Sequence, residues 1–478
     1  MRSFLGSLFR AVALNFFFSL VNKSSRMFHD PDFTPFQPRS KPSFRANLRN
    51  FLENLPPTAY REGFSALPGL WPLVPKTIFL TDPDCIEEVL VARAEFFLRD
   101  RMTVRSLSAP VNRESLFFAD GANWKWQRRA AAPAFRHDNL LALVPTFSQC
   151  ARAQASAWRS SPDTAPIDAT DAMSRTTFAV IERTALGEVA SFDREKFLKQ
   201  LRLTLASVPW RRTIAFFNLP DWMPHPGYFK AQAATAYLYK ETMKAVAARR
   251  ATGSGQRDIL GLLLSTRDQE TGRVMTDSEL TANLYSFLLA GHETSAVALG
   301  WSLWLLAKDQ ASQDLLRDEV AQAAGAREIG PGEVEKLAFT RQVIQESMRL
   351  FPPAAMIGRQ PREDTTLGPY RVSKREPIYV AIWCLHRHEK LWEEPNAFDP
   401  NRFAPEKVKA RHRYAYLPLG AGPRICIGSG FATLEMTAIL ATLIRDFRFK
   451  TVPGHRMELD MSFTTRPKGG LPLLIEAL

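Results

Sequence analysis

The stretch YLPLGAGPRICIGSG, residues 416–430, sets one thiol, Cys426, among four glycines (420, 422, 428 and 430) with Arg424 two residues before it. Glycines without side chains let such a loop turn tightly and bring its backbone close to a flat ligand. A thiolate at Cys426 is favoured by the Arg424 charge and by the first amides of the helix-like run FATLEMTAILATLI that follows. The chemistry on offer is a thiolate presented to a metal. The plainer reading, a buried cysteine in a Gly-rich turn, is decided by the rest of the chain.

A second polar cluster sits inside an apolar run. The capping-box pattern of Thr276 and Glu279 predicts a helix start, and the pattern continues to about Lys308. A helix of that length exceeds about 40 Å and crosses a whole domain. At its centre lie Gly291, His292, Glu293, Thr294 and Ser295. A charge there would cost roughly 2.5 to 3.5 kcal/mol in a bilayer, so a buried helix lining a cavity is the cheaper arrangement. Gly291 leaves room for a ligand, and Thr294 can bond back to the preceding turn and open the helix locally. Ala296 stands where a zinc-binding HExxH would need its second histidine.

Other elements must hold these groups in place. EKLAFTRQVIQESMRLF reads as a helix stopped by Pro352 and Pro353, with Glu346 and Arg349 three residues apart on one face. EPIYVAIWCLHRH reads as a strand, with Ile378, Val380, Ile382 and Cys384 on one side. Cys384, His386 and His388 have metal-ligating side chains but lack a fourth partner nearby, which favours a structural role. MSFTTRPKGGLPL reads as a hairpin turning at Gly469 and Gly470.

Length and composition bound the rest. The 478 residues would by length alone suggest about three domains. No Gly/Ser linker, low-complexity block or repeat divides them, so residues 46–478 read as one large domain behind an N-terminal segment, 1–45. The four cysteines are scattered, with no CxxC or CxxCH, which argues against a disulfide framework and for a reducing, cytoplasmic setting. The net charge of +13 is spread along the chain without a nucleic-acid motif, which favours an acidic protein partner over nucleic acid. The N-terminal run FLGSLFRAVALNFFFSLV is broken by Arg10 and Asn15 and lacks the about 20 uninterrupted apolar residues of a spanning helix. It reads as an amphipathic segment able to touch a membrane peripherally, with a basic, Pro-containing run after it.

Taken together, these motifs resemble the cytochrome P-450 superfamily. LGAGPRICIG, residues 419–428, is similar to its haem-binding signature FGxGxRxCxG, with Leu419 in place of the usual Phe. AGHETS resembles the distal-helix motif, Glu346 and Arg349 the ExxR pair, and FDPNRF the PERF motif, with Asn401 replacing Glu. GANWKWQRR resembles the WxxxR helix through Trp124 and Arg128. The resemblance covers about residue 80 to the C-terminus. It implies a mainly α fold with smaller β-sheets (α+β), whose long central helix crosses a haem b held by the Cys426 thiolate. It implies that Glu293 and Thr294 handle oxygen and protons, and that Arg402 joins Glu346 and Arg349 in a structural network. Trp124, Arg128, Arg359 and Arg424 would hold the haem propionates. Phe287, Ala290, Ala354, Met356, Phe463 and Thr464 would line a pocket for a lipophilic substrate.

The activity implied is monooxygenation of a small organic substrate with O2. The chain carries no evident flavin, nicotinamide or iron–sulfur module, so electrons would come from a separate ferredoxin or flavodoxin-like donor and its reductase. The basic run at residues 405–414, with Lys125 and Arg129, offers a docking face. A haem-thiolate isomerase, dehydratase or peroxygenase, or a haem-binding protein without turnover, would use the same cysteine.

Overall fold

The computed structural model describes residues 50–67, 76–108, 112, 114–160, 165–187, 192–253, 258–268, 270–374, 376–461 and 463–478. The N-terminal segment 1–45 lies outside them. The helices used below are α1 (Arg101–Leu107), α2 (Gly121–Ala131), α3 (Val144–Arg159), α4 (Ala169–Ala185), α5 (Arg194–Leu205), α6 (Val208–Phe216) and α7 (Tyr228–Thr252). They continue with α8 (Asp277–Lys308), α9 (Gln310–Ala324), α10 (Ala338–Leu350) and α11 (Ser429–Asp446).

α8 organises the molecule. The Thr276 hydroxyl accepts the Glu279 N–H at 3.2 Å, and the Glu279 carboxylate accepts the Thr276 N–H at 3.0 Å. This reciprocal cap satisfies two otherwise orphan donors. The helix then runs unbroken for 32 residues to Lys308, about 48 Å. It is buried on nearly every side from Leu280 to Ala307, so it needs helices all round it, and α4, α7, α10 and α11 supply them. Thr294 does bond back to the Ala290 carbonyl, at 2.8 Å, yet the helix does not open there. Gly291 also serves another purpose than expected: a Cβ would meet Ile181 of α4 at 3.1 Å, so the glycine admits a neighbouring helix.

The strands are short: β1 (Phe64–Leu67), β2 (Thr77–Leu80), β3 (Phe97–Leu98), β4 (Ile167–Asp168), β5 (Ile357–Pro361), β6 (Thr365–Leu367) and β7 (Tyr370–Val372). After these come β8 (Ile378–Val380), β9 (Phe447–Thr451), β10 (Leu459–Met461), β11 (Thr465–Pro467) and β12 (Pro472–Ala477). The largest sheet has the order β1-β2-β8-β5-β3. Within it β2 and β8 pair in parallel, Ile78 with Ile378 and Leu80 with Val380. A second apolar core beneath this sheet includes Leu417 and Ala421, which anchor the start of the thiol loop.

Two sequence expectations need correction. The strand does not reach Cys384, because β2 ends at Leu80 and leaves no partner further on; the chain turns into a short helix, Ile382–Leu385. The C-terminal hairpin exists, but it joins β10 to β11 through Thr464. Gly469 and Gly470 instead lead into β12, which pairs with β9 and β4. At Gly470, φ is 92° and a Cβ would strike the Asp168 carboxylate at 2.4 Å. That carboxylate caps α4 and accepts the Leu471 N–H at 3.0 Å.

Candidate functional site

The thiol loop is shaped by its own backbone. Cys426 N–H donates to the Leu419 carbonyl at 3.0 Å, and Gly420 and Gly422 have φ of 78° and 70°. A Cβ on Gly422 would lie 2.0 Å from the Leu90 carbonyl, so this glycine lets the loop press on the neighbouring helical turn. Cys426 has accessible surface although the surrounding protein desolvates its thiol and raises its pKa, which the Gly428 amide and then Arg128 oppose. Access together with desolvation places the sulfur on the wall of an interior space. Arg424 acts elsewhere: it bonds Asp120 and the Ala119 carbonyl and lies 4.6 Å over the Trp124 ring. The cation beside the thiol is Arg128.

α8 supplies the facing wall. In the buried middle of α8, Ala290 is exposed and Phe287, Gly291 and Thr294 are half-buried, so this stretch opens on space inside the molecule. Phe287 meets Phe135 edge-on at 5.6 Å, while a Cβ at Gly428 would lie 3.9 Å from the Cys426 sulfur and 4.0 Å from Phe135. Phe135 thus bridges the thiol loop and α8. Ala354 is exposed and Met356 half-buried in the segment that leads into β5. These four residues remain available as apolar lining.

Glu293 points another way. Its carboxylate accepts the Thr464 hydroxyl at 3.0 Å and lies 3.5 Å from the Arg466 guanidinium. It lines a cleft of about 730 Å³ that opens to solvent between α4, α5 and the β10–β11 hairpin. Phe463 lines the same cleft, whereas Thr464 is buried and occupied by Glu293. His292 is buried with Nε2 2.9 Å from the Ser174 hydroxyl, and burial lowers its pKa to about 4.

At the other rim lies an excess of positive charge. Burial, then the Arg424 charge, lowers the Arg359 pKa to about 10. Burial likewise takes Arg99 down to about 9, with Arg424 and Arg359 adding to it. Asp120 is bound to Arg424, and Asp100 accepts the Tyr379 hydroxyl at 2.8 Å and the Thr103 N–H at 2.9 Å. Arg99 and Arg359 therefore make no ion pair among the described residues, and the buried Arg99 Nη1 has no hydrogen-bond partner. Sequence reading missed Arg99, which belongs to no motif. Its position directly before Asp100, the cap of α1, was the available signal.

The Glu346 and Arg349 side chains are fully buried and form a bidentate pair, both bonds 2.7 Å. Arg349 also donates to the His386, Pro395 and Ala397 carbonyls, and Glu346 accepts the Asp399 N–H at 2.9 Å. Arg402 stands 3.4 Å from Glu346, an ion pair without a formed Nε hydrogen bond, and donates to the Glu394 carbonyl at 3.1 Å. His386 completes the route to the thiol loop, since its Nε2 accepts the Leu417 N–H at 2.8 Å. Its pKa falls well below the ordinary value, chiefly through burial and then through the Arg349 and Arg387 charges, so the ring is neutral and Nε2 stays an acceptor. Among the described residues no three His, Cys, Asp or Glu side chains form a metal cluster, and no helix is long and apolar enough to cross a membrane.

A thiol beneath an interior space, two unpaired guanidiniums at its rim and an apolar helix above it suit a flat, dianionic, metal-bearing ligand. A family model described as Cytochrome P450 matches residues 53–473. The chain belongs to the cytochrome P450 family. Membership brings haem, iron binding and oxidoreductase activity of the monooxygenase kind. Cyclooctatin synthase of Streptomyces melanosporofaciens is 29% identical, over 84% of this chain and 87% of that protein. A cytokinin hydroxylase of Arabidopsis thaliana is also 29% identical, over 86% and 80%. The haem domain of cytochrome P450DA superposes with a TM-score of 0.77 at 24% identity, covering 87% of this chain and 90% of that one. A retinoic-acid-bound cyanobacterial structure gives 0.75 at 24% identity, covering 84% and 90%. These structures share the mainly α fold with small sheets expected from the sequence.

Proposed function

We propose that residues 46–478 act as one haem-thiolate monooxygenase domain, which inserts one atom of dioxygen into a largely apolar organic substrate using electrons from separate redox proteins. The observation that carries this reading is the accessible yet desolvated Cys426 thiol, placed beneath α8 with Arg99 and Arg359 unpaired at the rim. Cys426 would hold the haem iron, and Arg128, Arg99 and Arg359 with Trp124 would hold the propionate edge through charge-assisted bonds. When bound, the haem supplies dioxygen activation, which a thiolate ligand favours.

The chain's own residues do the remainder. Thr294 holds a hydroxyl on the α8 wall, and its hydrogen bond to Ala290 can be exchanged for one to a reacting oxygen. Glu293 reaches solvent through the cleft and can carry protons inward once it leaves Arg466 and Thr464. Ala290, Ala354, Phe287 and Met356 exclude water and leave space for an apolar body. A neighbour described as retinoic-acid-bound, and relatives named for cyclooctatin synthesis and cytokinin hydroxylation, are in keeping with such substrates.

For the electron donor we favour a ferredoxin or flavodoxin-like protein with its reductase. Among the described residues the free charge of the docking face lies at Lys409 and Arg413, because Lys125 pairs with Glu95, Arg129 with Asp268 and Glu270, and Lys407 with Asp399, while Arg411 bonds the Arg402 carbonyl. The test is turnover under heavy-oxygen-labelled dioxygen with a surrogate ferredoxin and reductase. Label appearing in the product only when reductant is supplied supports the reading; product formed without reductant or without label overturns it.

A further inference from the structure

A second cleft, of about 520 Å³, lies between α6, α7 and the N-terminal half of α8. It shares no residue with the thiol loop or with the cleft at Glu293. On α8, Tyr285 stands about 140° around the helix axis from Ala290, so it faces away from the thiol side. Most polar groups of the wall are already engaged. The Ser207 hydroxyl donates to the Thr204 carbonyl at 2.7 Å, the Thr235 hydroxyl to the Ala231 carbonyl at 2.9 Å, and the Gln232 amide to the Tyr228 hydroxyl at 2.7 Å.

Two donors on residues that line the cleft, one on α6 and one on α8, are left over among the described residues. Tyr285 is 1% exposed and its hydroxyl has no hydrogen-bond partner. The Nε of Arg211 is buried and equally unpartnered. Arg211 makes no ion pair among the described residues, and Asp221, the nearby acid, is bonded to Arg105 at 2.7 Å. Leaving such donors unmet is expensive, and the economical way to meet both is one acceptor that also carries negative charge. A carboxylate does this, with one oxygen for the guanidinium and one for the phenol. A dianionic phosphate would need further cations, and among the described residues that line this cleft Arg211 is the only one. The body of the ligand would lie on the half-buried ring of Tyr239, which meets Tyr285 edge-to-face at 6.3 Å.

We propose that this cleft binds a small aromatic carboxylic acid, with its carboxylate on Arg211 and Tyr285. The site stands apart from the haem chemistry and goes beyond the monooxygenase reading.

Calorimetric titration of the holoenzyme with 3-phenylpropionate, against the neutral 3-phenylpropionamide of the same shape, tests it. The acid should bind about tenfold or more tightly than the amide, as expected for a charge-assisted pair. Arg211→Gln should remove that preference while leaving amide binding unchanged, and Tyr285→Phe, which preserves the ring, should weaken the acid several-fold. Cys426→Ser should leave the preference intact, which separates this proposal from the assignment of the thiolate. Equal binding of acid and amide, an unchanged preference in both Arg211→Gln and Tyr285→Phe, or no saturable binding of the acid overturns the proposal.

Discussion

The imidazole of His386 accepts the backbone N–H of Leu417 at 2.8 Å while its own carbonyl accepts Arg349 at the same distance. One residue thus ties the buried Glu346–Arg349 pair to the irregular segment that enters the thiol loop. His386→Ala leaves the Leu417 amide unmet in an apolar core, at a cost of about 1–3 kcal/mol. The expected outcome is a lower unfolding midpoint and faster haem loss, read by thermal melting and by transfer to apomyoglobin. Unchanged haem retention would show that the tie does not hold the loop.

Arg99 and Arg359 predict a trade between stability and cofactor retention. Both half-buried guanidiniums are desolvated by the surrounding protein and repel Arg424, so they burden the fold without haem. Arg99→Leu should raise the melting temperature of the apoprotein and speed haem loss from the holoprotein. A fall in both would mean that Arg99 is a structural cation.

Glu435 on α11 gives a pH dependence with a definite sign. It is fully buried, neither carboxylate oxygen makes a well-formed hydrogen bond, and burial raises its pKa from 4.5 to about 8 against a small opposing effect of Ser295. Between those values the folded chain keeps a proton that the unfolded chain releases. This group's contribution to stability is therefore full below about 4.5 and is lost as pH rises to about 8. Denaturation of wild type and Glu435→Gln across that range checks it. The variant should gain on wild type steadily with pH, by on the order of a few kcal/mol in all; parallel curves would show that Glu435 is ionised in the fold.

Thr294 and Glu293 separate two steps. Thr294→Ala should leave reductant consumption within a few-fold of wild type while product formed per reductant falls several-fold. Thr464→Val, which removes the hydroxyl latch on Glu293, should alter the solvent isotope effect and leave that ratio near wild type. Retained coupling in Thr294→Ala would remove the threonine from oxygen chemistry.

The parts legible in the sequence were those with local rules. Thr276 and Glu279 announced the start of α8, Pro352 and Pro353 followed the end of α10, and the spacing around Cys426 identified the loop. What escaped depends on partners distant in the chain. β8 stops at Val380 because β2 stops at Leu80, and Gly291 answers to Ile181 on another helix. Arg99 shares a rim with Arg359 and Arg424 only after folding. His386 was weighed as a metal ligand because its acceptor role involves Leu417, 31 residues away.

The assignment of Cys426 as the haem ligand is the centre of the account, and the carbon monoxide difference spectrum of the reduced protein tests it most directly. Wild type should show the thiolate-specific Soret band, and Cys426→Ser should lose it while retaining some bound haem. An identical thiolate band in the variant, or none in the haem-loaded wild type, would contradict the account.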